Sequence, residues 1–221
     1  MAIFVILDSM KKDNKKHFAK LKKDISKIDN LKLEDEREYE NLEIDDIDLH
    51  GETFSSLDFQ DCLLKNCNFN QVKIKKLSLL NVKFENCDLA NLEIEELYIK
   101  KTDFYKCRMT GFSSPEGILY EVLFNACQLK FSQFRFTKLR DINFINCPLY
   151  EADFYSAEMK NIDFSKCDLT KTNMSKVKHI NTDLRTSIIS GMSVNIESLK
   201  GVTIDYSQVN DLVWLLGINI K

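Results

Sequence analysis

The sequence predicts an all-β solenoid of four-sided coils, and three observations carry that prediction. Bulky apolar residues recur every five positions. Cysteine recurs every twenty within that pattern. The phase of both series holds for about 160 residues, a length set by internal repetition rather than by a single helix or strand. Stepping in fives from Ile44 to Ile204 visits 33 positions, and 31 of them hold Leu, Phe, Ile, Met or Val. Ser114 and His179 are the two exceptions. Hydrophobic residues make up 44% of the chain, so chance would fill about half of these places. A period of five fits neither the 3.6 of an α-helix nor the 2.0 of an isolated strand.

A second inward series lies two residues before the first, and all seven cysteines fall on it. Cys62 opens it, and Cys67, Cys87, Cys107, Cys127, Cys147 and Cys167 follow at intervals of twenty. Twenty is four fives, so the simplest geometry gives each coil four sides of one pentapeptide each. Cys67 to Cys167 then stack as a ladder. The centres Phe84, Phe104, Phe124, Phe144 and Phe164 stack beside it as an aromatic column at the inter-strand spacing of about 4.8 Å. Small residues at the cysteine position on other sides, such as Ala152, Ala157, Thr137, Ser132 and Thr172, suit an inward site beside a bulky centre.

The flanks are read separately. Residues 1–40 lie outside the repeat. Lys11–Lys27 is basic and residues 28–48 are acidic. Phe18, Leu21, Ile25 and Ile28 fall at helical spacing, which predicts an amphipathic helix over Asp13–Ile28. A cap for the open end of the solenoid is the simpler role for it, and a basic helix for nucleic acid or membrane is the sharper one. Residues 41–204 form the solenoid. Residues 205–221 predict a short helix with Val209, Leu212, Val213 and Leu216 on one face and Gly217 as its C-cap. The apolar run continues through Trp214 and Ile218. This is more surface than a cap needs, so Val209, Leu212, Val213, Trp214, Leu216 and Ile218 are the expected homodimer interface.

One repeat is irregular. Phe112-Ser113-Ser114-Pro115-Glu116-Gly117 places a serine at a core centre and a proline beside it. Two readings fit: a local distortion at one corner, or a small projecting loop of Ser113, Ser114, Pro115 and Glu116 that touches a partner.

Several function classes are disfavoured. The formal net charge is −3, not the basic balance expected of a nucleic-acid binder. The apolar stretch Ala2–Leu7 is too short to cross a membrane and lacks the flank of a signal peptide, so a cytoplasmic protein with free thiols is expected, without membrane or nucleic-acid partners. Zinc sites pair cysteines two to four residues apart, whereas Cys62 and Cys67 are five apart on adjacent sides. No metal or cofactor is expected. His17, His50 and His179 are scattered, and no phosphate loop or nucleophile elbow occurs, so no catalytic set is expected either.

The pattern resembles the pentapeptide-repeat family, whose consensus is A-(D/N)-(L/F)-x-x. Cys87-Asp88-Leu89, Ala152-Asp153-Phe154, Ile162-Asp163-Phe164 and Cys167-Asp168-Leu169 carry the resemblance. It implies a right-handed quadrilateral β-helix of about eight coils. The C-terminal run is similar to that of the Qnr group, through Leu199, Gly201, Val202, Ile204, Asp205, Gln208, Leu212, Leu216, Gly217 and Ile218. That likeness implies a tail-to-tail dimer whose shape and charge imitate duplex DNA. Such a rod would bind DNA gyrase or topoisomerase IV and protect it from quinolones. The alternative is a pentapeptide-repeat scaffold with another protein partner. A continuous acidic side would mark the first, and dispersed charge the second.

Overall fold

The computed structural model describes residues 18–21, 25–28, 31–178 and 182–213. Strands pair in parallel with partners twenty residues on: Leu64 opposite Phe84, Phe84 opposite Phe104, Phe104 opposite Phe124, and so on to Phe144 opposite Phe164. About eight coils form the right-handed, four-sided β-helix. At about 4.8 Å per coil the rod is about 40 Å long. The four sides are centred on the columns of Ile44, Leu49, Phe54 and Phe59, here the first to fourth sides.

Two residues of each pentapeptide point inward and make the core. Phe84, Phe104, Phe124, Phe144 and Phe164 stack nearly parallel, with ring centroids 4.9 to 5.1 Å apart. Cys67 to Cys167 are all buried beside them as free thiols. Five of these six thiols donate to a backbone carbonyl of the preceding coil. Cys127 Sγ donates to Phe104 O, Cys147 Sγ to Phe124 O and Cys167 Sγ to Phe144 O at 3.3 to 3.4 Å. Ser187 continues the ladder with Oγ donating to Phe164 O at 3.0 Å. A small weak donor is what this position needs, which accounts for cysteine every twenty residues.

Where Asp or Asn stands outward before a centre, it turns the corner. Its carboxylate or amide oxygen accepts the N–H two residues on: Tyr155 N–H to Asp153 Oδ1 at 2.8 Å, Thr170 N–H to Asp168 Oδ1 at 3.0 Å, Ser175 N–H to Asn173 Oδ1 at 3.1 Å. The recurrent Asp and Asn are therefore local turn devices. The residue two after each centre then adopts the left-handed region almost everywhere, from Glu36 at φ 58° to Lys176 at φ 60°. Asn and Asp tolerate this conformation best and fill many of these corners.

One corner changes along the rod. At Ser56, Lys76 and Glu96 it stays extended, and the strands Thr53–Gln60, Lys73–Leu80 and Glu93–Tyr105 run straight through it. From Glu116, φ 63°, it turns left-handed. The next inward residue changes in step, from Leu57, Leu77 and Leu97 to Gly117, Thr137 and Ala157. The tighter corner has little room: a Cβ on Gly117 would lie 2.8 Å from Ser114 Oγ.

The N-terminal helix expected over Asp13–Ile28 is not formed where the chain is described. Residues 18–21 have no regular structure, and Ser26–Ile28 is a strand paired with Leu42–Ile44. The physical reason is the open edge of the first coil, which offers unpaired backbone groups that a strand satisfies and a helix does not. Side chains of the rod also hold the segment extended. Asn81 Oδ1 accepts Lys20 N–H at 2.7 Å while its Nδ2 donates to Lys20 O at 3.1 Å. Asp103 Oδ1 accepts the N–H of buried Phe18 at 3.1 Å. Asp13–His17 lie outside the described residues.

The coils also begin before residue 41. Tyr39, in phase with the repeat, is buried and stacks on Phe59 at 5.4 Å. One step earlier Glu34 cannot enter the core, and Leu33 is buried instead. At the other end a helix does form, Val209–Val213, preceded by a 3-10 turn at Tyr206–Gln208. Asp205 N–H donates to Gln208 Oε1 at 2.7 Å, and Ser207 N–H to Asp205 Oδ1 at 2.9 Å. Gln208 Nε2 then reaches the carbonyls of Leu184 and Ser187 at 2.8 and 2.6 Å, and Leu212 packs on the core. The last coil is thereby closed. His179, Trp214, Leu216, Gly217 and Ile218 lie outside the described residues.

Candidate interaction surface

Twelve outward positions per coil make the surface, three on each side. Because successive coils stack in sequence order, blocks of charge in the sequence become bands along the rod. Residues 34–61 carry twelve carboxylates and a single cation, Arg37. Residues 62–128 carry eight carboxylates and nine cations, and residues 129–178 carry six and nine. On the third side the banding is sharp: the rung Lys73, Lys75, Lys76 lies directly under the rung Glu93, Glu95, Glu96, joined by Lys73–Glu93 at 3.3 Å. A shallow groove of about 500 Å³ runs beside this corner, lined by Lys76, Glu95, Glu96 and Tyr98. No side is acidic from end to end. Lys27, on the added N-terminal strand, reaches the acidic band at Asp45, 3.8 Å away.

The irregular repeat does not project. Ser113 N–H donates to Leu92 O at 2.9 Å, Ser114 N–H to Gln133 O at 3.1 Å, and Glu116 N–H to Arg135 O at 2.9 Å, all in register. Pro115 costs no ladder bond, because the N–H at its position is elsewhere taken by the preceding Asp or Asn side chain, as at Tyr155 and Ser175. Ser114 is wholly buried, and Phe112 restores the missing volume. The Phe112 ring sits at the inward site two residues earlier, 5.9 Å from Phe134. A large–small pair in one coil faces the small–large pair Ser132 and Phe134 in the next. The clue lay two residues upstream of the serine.

Five of the thiols are held toward the protonated form. A hydrogen bond from its neighbour in the ladder raises the pKa of Cys67, Cys87 and Cys167, with burial adding to it, and burial leads for Cys62 and Cys107. Asp163 is pushed above the usual carboxylate range by burial and by Asp183. Among the described residues no cluster of His, Cys, Asp or Glu is arranged to hold a metal ion. No helix among them is long and apolar enough to cross a membrane.

Fold and surface together define a β-solenoid of five-residue repeats that presents outward side chains in fixed columns. The sequence matches the family model described as "Pentapeptide repeat region" at residues 77–154 and 117–211, and that of "Pentapeptide repeats (8 copies)" at residues 54–91. The chain belongs to the pentapeptide-repeat family. None of the curated proteins matches it by sequence. Among solved structures it is similar to a trypsin-treated variant of QnrB1, a plasmid-mediated fluoroquinolone resistance protein, with 16% identity and a TM-score of 0.44, covering 81% of this chain and 100% of that one. HetL, involved in heterocyst differentiation regulation in the cyanobacterium Nostoc sp., gives 15% and 0.31, covering 75% and 86%. Rfr23 from the cyanobacterium Cyanothece gives 12% and 0.18, covering 77% and 92%.

Proposed function

We propose that this chain is a non-catalytic interaction rod, a cytoplasmic scaffold that docks a protein partner on its outward columns. The observation that carries the reading is the charge layout. Duplex DNA carries one charge per about 1.7 Å, so a rod of about 40 Å imitating it needs on the order of two dozen uncompensated negative charges. Residues 31–178 carry 26 carboxylates and 20 cations. Discrete bands of both signs suit a partner with its own pattern of charge, because like-charge juxtaposition rejects the wrong one. The thiols, all buried, offer no accessible nucleophile.

A second reading is a rod that binds DNA gyrase or topoisomerase IV and protects it from quinolones. One observation favours it: the acidic band at residues 34–61 reaches the linear charge density of DNA over the first two coils. Homodimerisation through the C-terminus belongs to either reading. Val209 is 38% exposed on the closing helix, and the apolar run continues beyond it into Trp214.

A supercoiling titration separates the two. Purified protein is added to gyrase with and without a fluoroquinolone, and in parallel is used as crosslinking bait in cells. The scaffold reading expects no change in supercoiling over a wide concentration range and a reproducible protein crosslink. Rescue from the drug, or inhibition at high concentration, establishes the topoisomerase reading instead.

A further inference from the structure

We propose that the third side, across the coils at Phe131–Phe136 and Tyr150–Tyr155, is a docking platform for an acidic peptide segment of a protein partner that carries aromatic or large aliphatic anchors. This rests on the interaction-rod reading and gives its partner a chemistry.

Phe131 and Phe136 stand at the two successive corners that bound this side. Both are in the left-handed region, at φ 59° and 58°, and both are exposed, by 45% and 48%. They are the only aromatic residues among the left-handed corners of the described chain. A bulky residue there is strained, and these two gain no core burial in return. Nothing in the rod's own packing calls for them, since polar corners serve the same turn at most other coils. Strain kept at an exposed apolar site points to a use outside the fold.

The next coil completes the arrangement. Tyr150 meets Phe131 edge-on at 5.7 Å, and Tyr155 meets Phe136 edge-on at 5.6 Å. One aromatic pair thus lines each edge of the side. Cations lie over the tyrosines: Arg135 4.9 Å from the Tyr155 ring centre, Lys176 5.0 Å from it, and Lys171 5.4 Å from that of Tyr150. Aromatic residues and arginine are the side chains that dominate binding energy at protein interfaces.

Charge selects the class of partner. Over three coils this side and the positions flanking its corners, residues 130–138, 150–158 and 170–178, carry six cations and three carboxylates. Two of the carboxylates are already engaged, Asp153 by Arg135 and Glu151 by Lys171, each at 3.4 Å. The excess favours a ligand with carboxylates between apolar anchors. A single-stranded nucleic acid also uses aromatic and basic groups, but it stacks bases on open ring faces. Here cations occupy faces of both tyrosines. The acidic band lies more than three coils away, about 17 Å, beyond the screening length of about 8 Å at physiological salt, so it does not cancel the local field.

The test uses the full chain and fluorescence anisotropy. The probes are a pool of fluorescein-labelled 12-residue peptides, each with four carboxylates and two phenylalanines at varied spacing. Controls replace the phenylalanines by alanine or the carboxylates by amides, and a 12-nucleotide oligo-dT is included. The key variant is Phe131→Asn with Phe136→Asn, because asparagine relieves the corner strain. It is expected to melt at the same or a higher temperature and to bind the best peptide at least tenfold more weakly. Arg135→Ala is expected to weaken binding and to flatten its salt dependence. The platform is overturned if no peptide of the pool binds, if the double variant binds as the parent does, or if the oligonucleotide binds more tightly than the peptides. Partner crosslinking that survives in the double variant would remove this platform and leave the interaction rod standing.

Discussion

Exchanging two side chains in the irregular coil tests how its core is built. Phe112 is 2% exposed and Ser114 is fully buried, with an Oγ that has no hydrogen-bond partner. Phe112→Ser alone removes a buried ring at a cost of about 3–5 kcal/mol, and leaves a second buried hydroxyl worth up to about 1–3 kcal/mol if unpaired. Ser114→Phe alone drives a ring into filled space. Gly117 is close enough that even a Cβ there would meet the Ser114 hydroxyl at 2.8 Å, so overpacking of about 1–3 kcal/mol or more is expected. Added together the singles cost roughly 5–10 kcal/mol. The exchange of both restores the common arrangement. The new ring takes the centre under Phe134, which already stacks on Phe154 at 5.1 Å. A serine at position 112 stands where Ser132 stands one coil on, its Oγ donating to Leu129 O at 2.8 Å. The double variant should therefore lose no more than about 2 kcal/mol, a coupling of about 3 kcal/mol or more. Guanidinium unfolding of the four proteins, followed by circular dichroism, measures it, and equal m-values show that the same unit unfolds. If the double variant falls within about 0.5 kcal/mol of the sum, Phe112 does not compensate for Ser114 and the core assignment of this coil is wrong.

Two further predictions concern the ladder and the end of the rod. The unfolded chain releases thiol protons from about pH 8.5, whereas Cys62, Cys67, Cys87, Cys107 and Cys167 hold theirs when folded. Stability is then fully present below pH 8.5 and falls as pH rises above it, by up to about 1.4 kcal/mol per thiol at pH 9.5. The melting temperature should drop between pH 8 and 9.5, and Ellman's reagent should label the seven cysteines only in denaturant; prompt labelling of the native protein would dismiss the ladder. Val209→Asp, on the exposed face of the closing helix, should give a folded monomer in light scattering if the proposed C-terminal dimer is right, and a dimer that persists moves the interface elsewhere.

The parts of this structure that follow from repetition were legible in the sequence. The five-residue phase places Phe124 in a column, and the twenty-residue recurrence of cysteine sets four sides per coil. Three features escaped because each depends on a neighbour in space. Ser114 looks like a break until Phe112 is weighed with it. Phe18, Leu21, Ile25 and Ile28 have the spacing of a helix, but the open edge of the first coil and the side chains of Asn81 and Asp103 capture this segment as extended chain. Phe131 and Phe136 fall two residues after a centre, at corners that face solvent, and the repeat gives no sign of the partners they meet in the next coil.

The same geometry governs what the charges can do. In a solenoid, sequence order is axial order, so an acidic block becomes a band around the rod. An acidic side requires something different, carboxylates recurring every twenty residues. The outward column of the second side reads Asp48, Asn68, Asp88, Arg108, Gln128, Pro148, Asp168, Ile188. It alternates acid with amide, then reverses sign when Arg108 pairs with Asp88. The third side inverts from three lysines to three glutamates in one step. Each inversion is satisfied by the coil next to it, which lowers the self-repulsion of the rod and leaves a pattern that only a matching surface can use. A polyanion mimic would have to leave those charges uncompensated along the whole length. Only the coils at residues 34–61 keep a large acid excess among the described residues, and Lys27 and Lys65 already lean on them at Asp45 and Glu43.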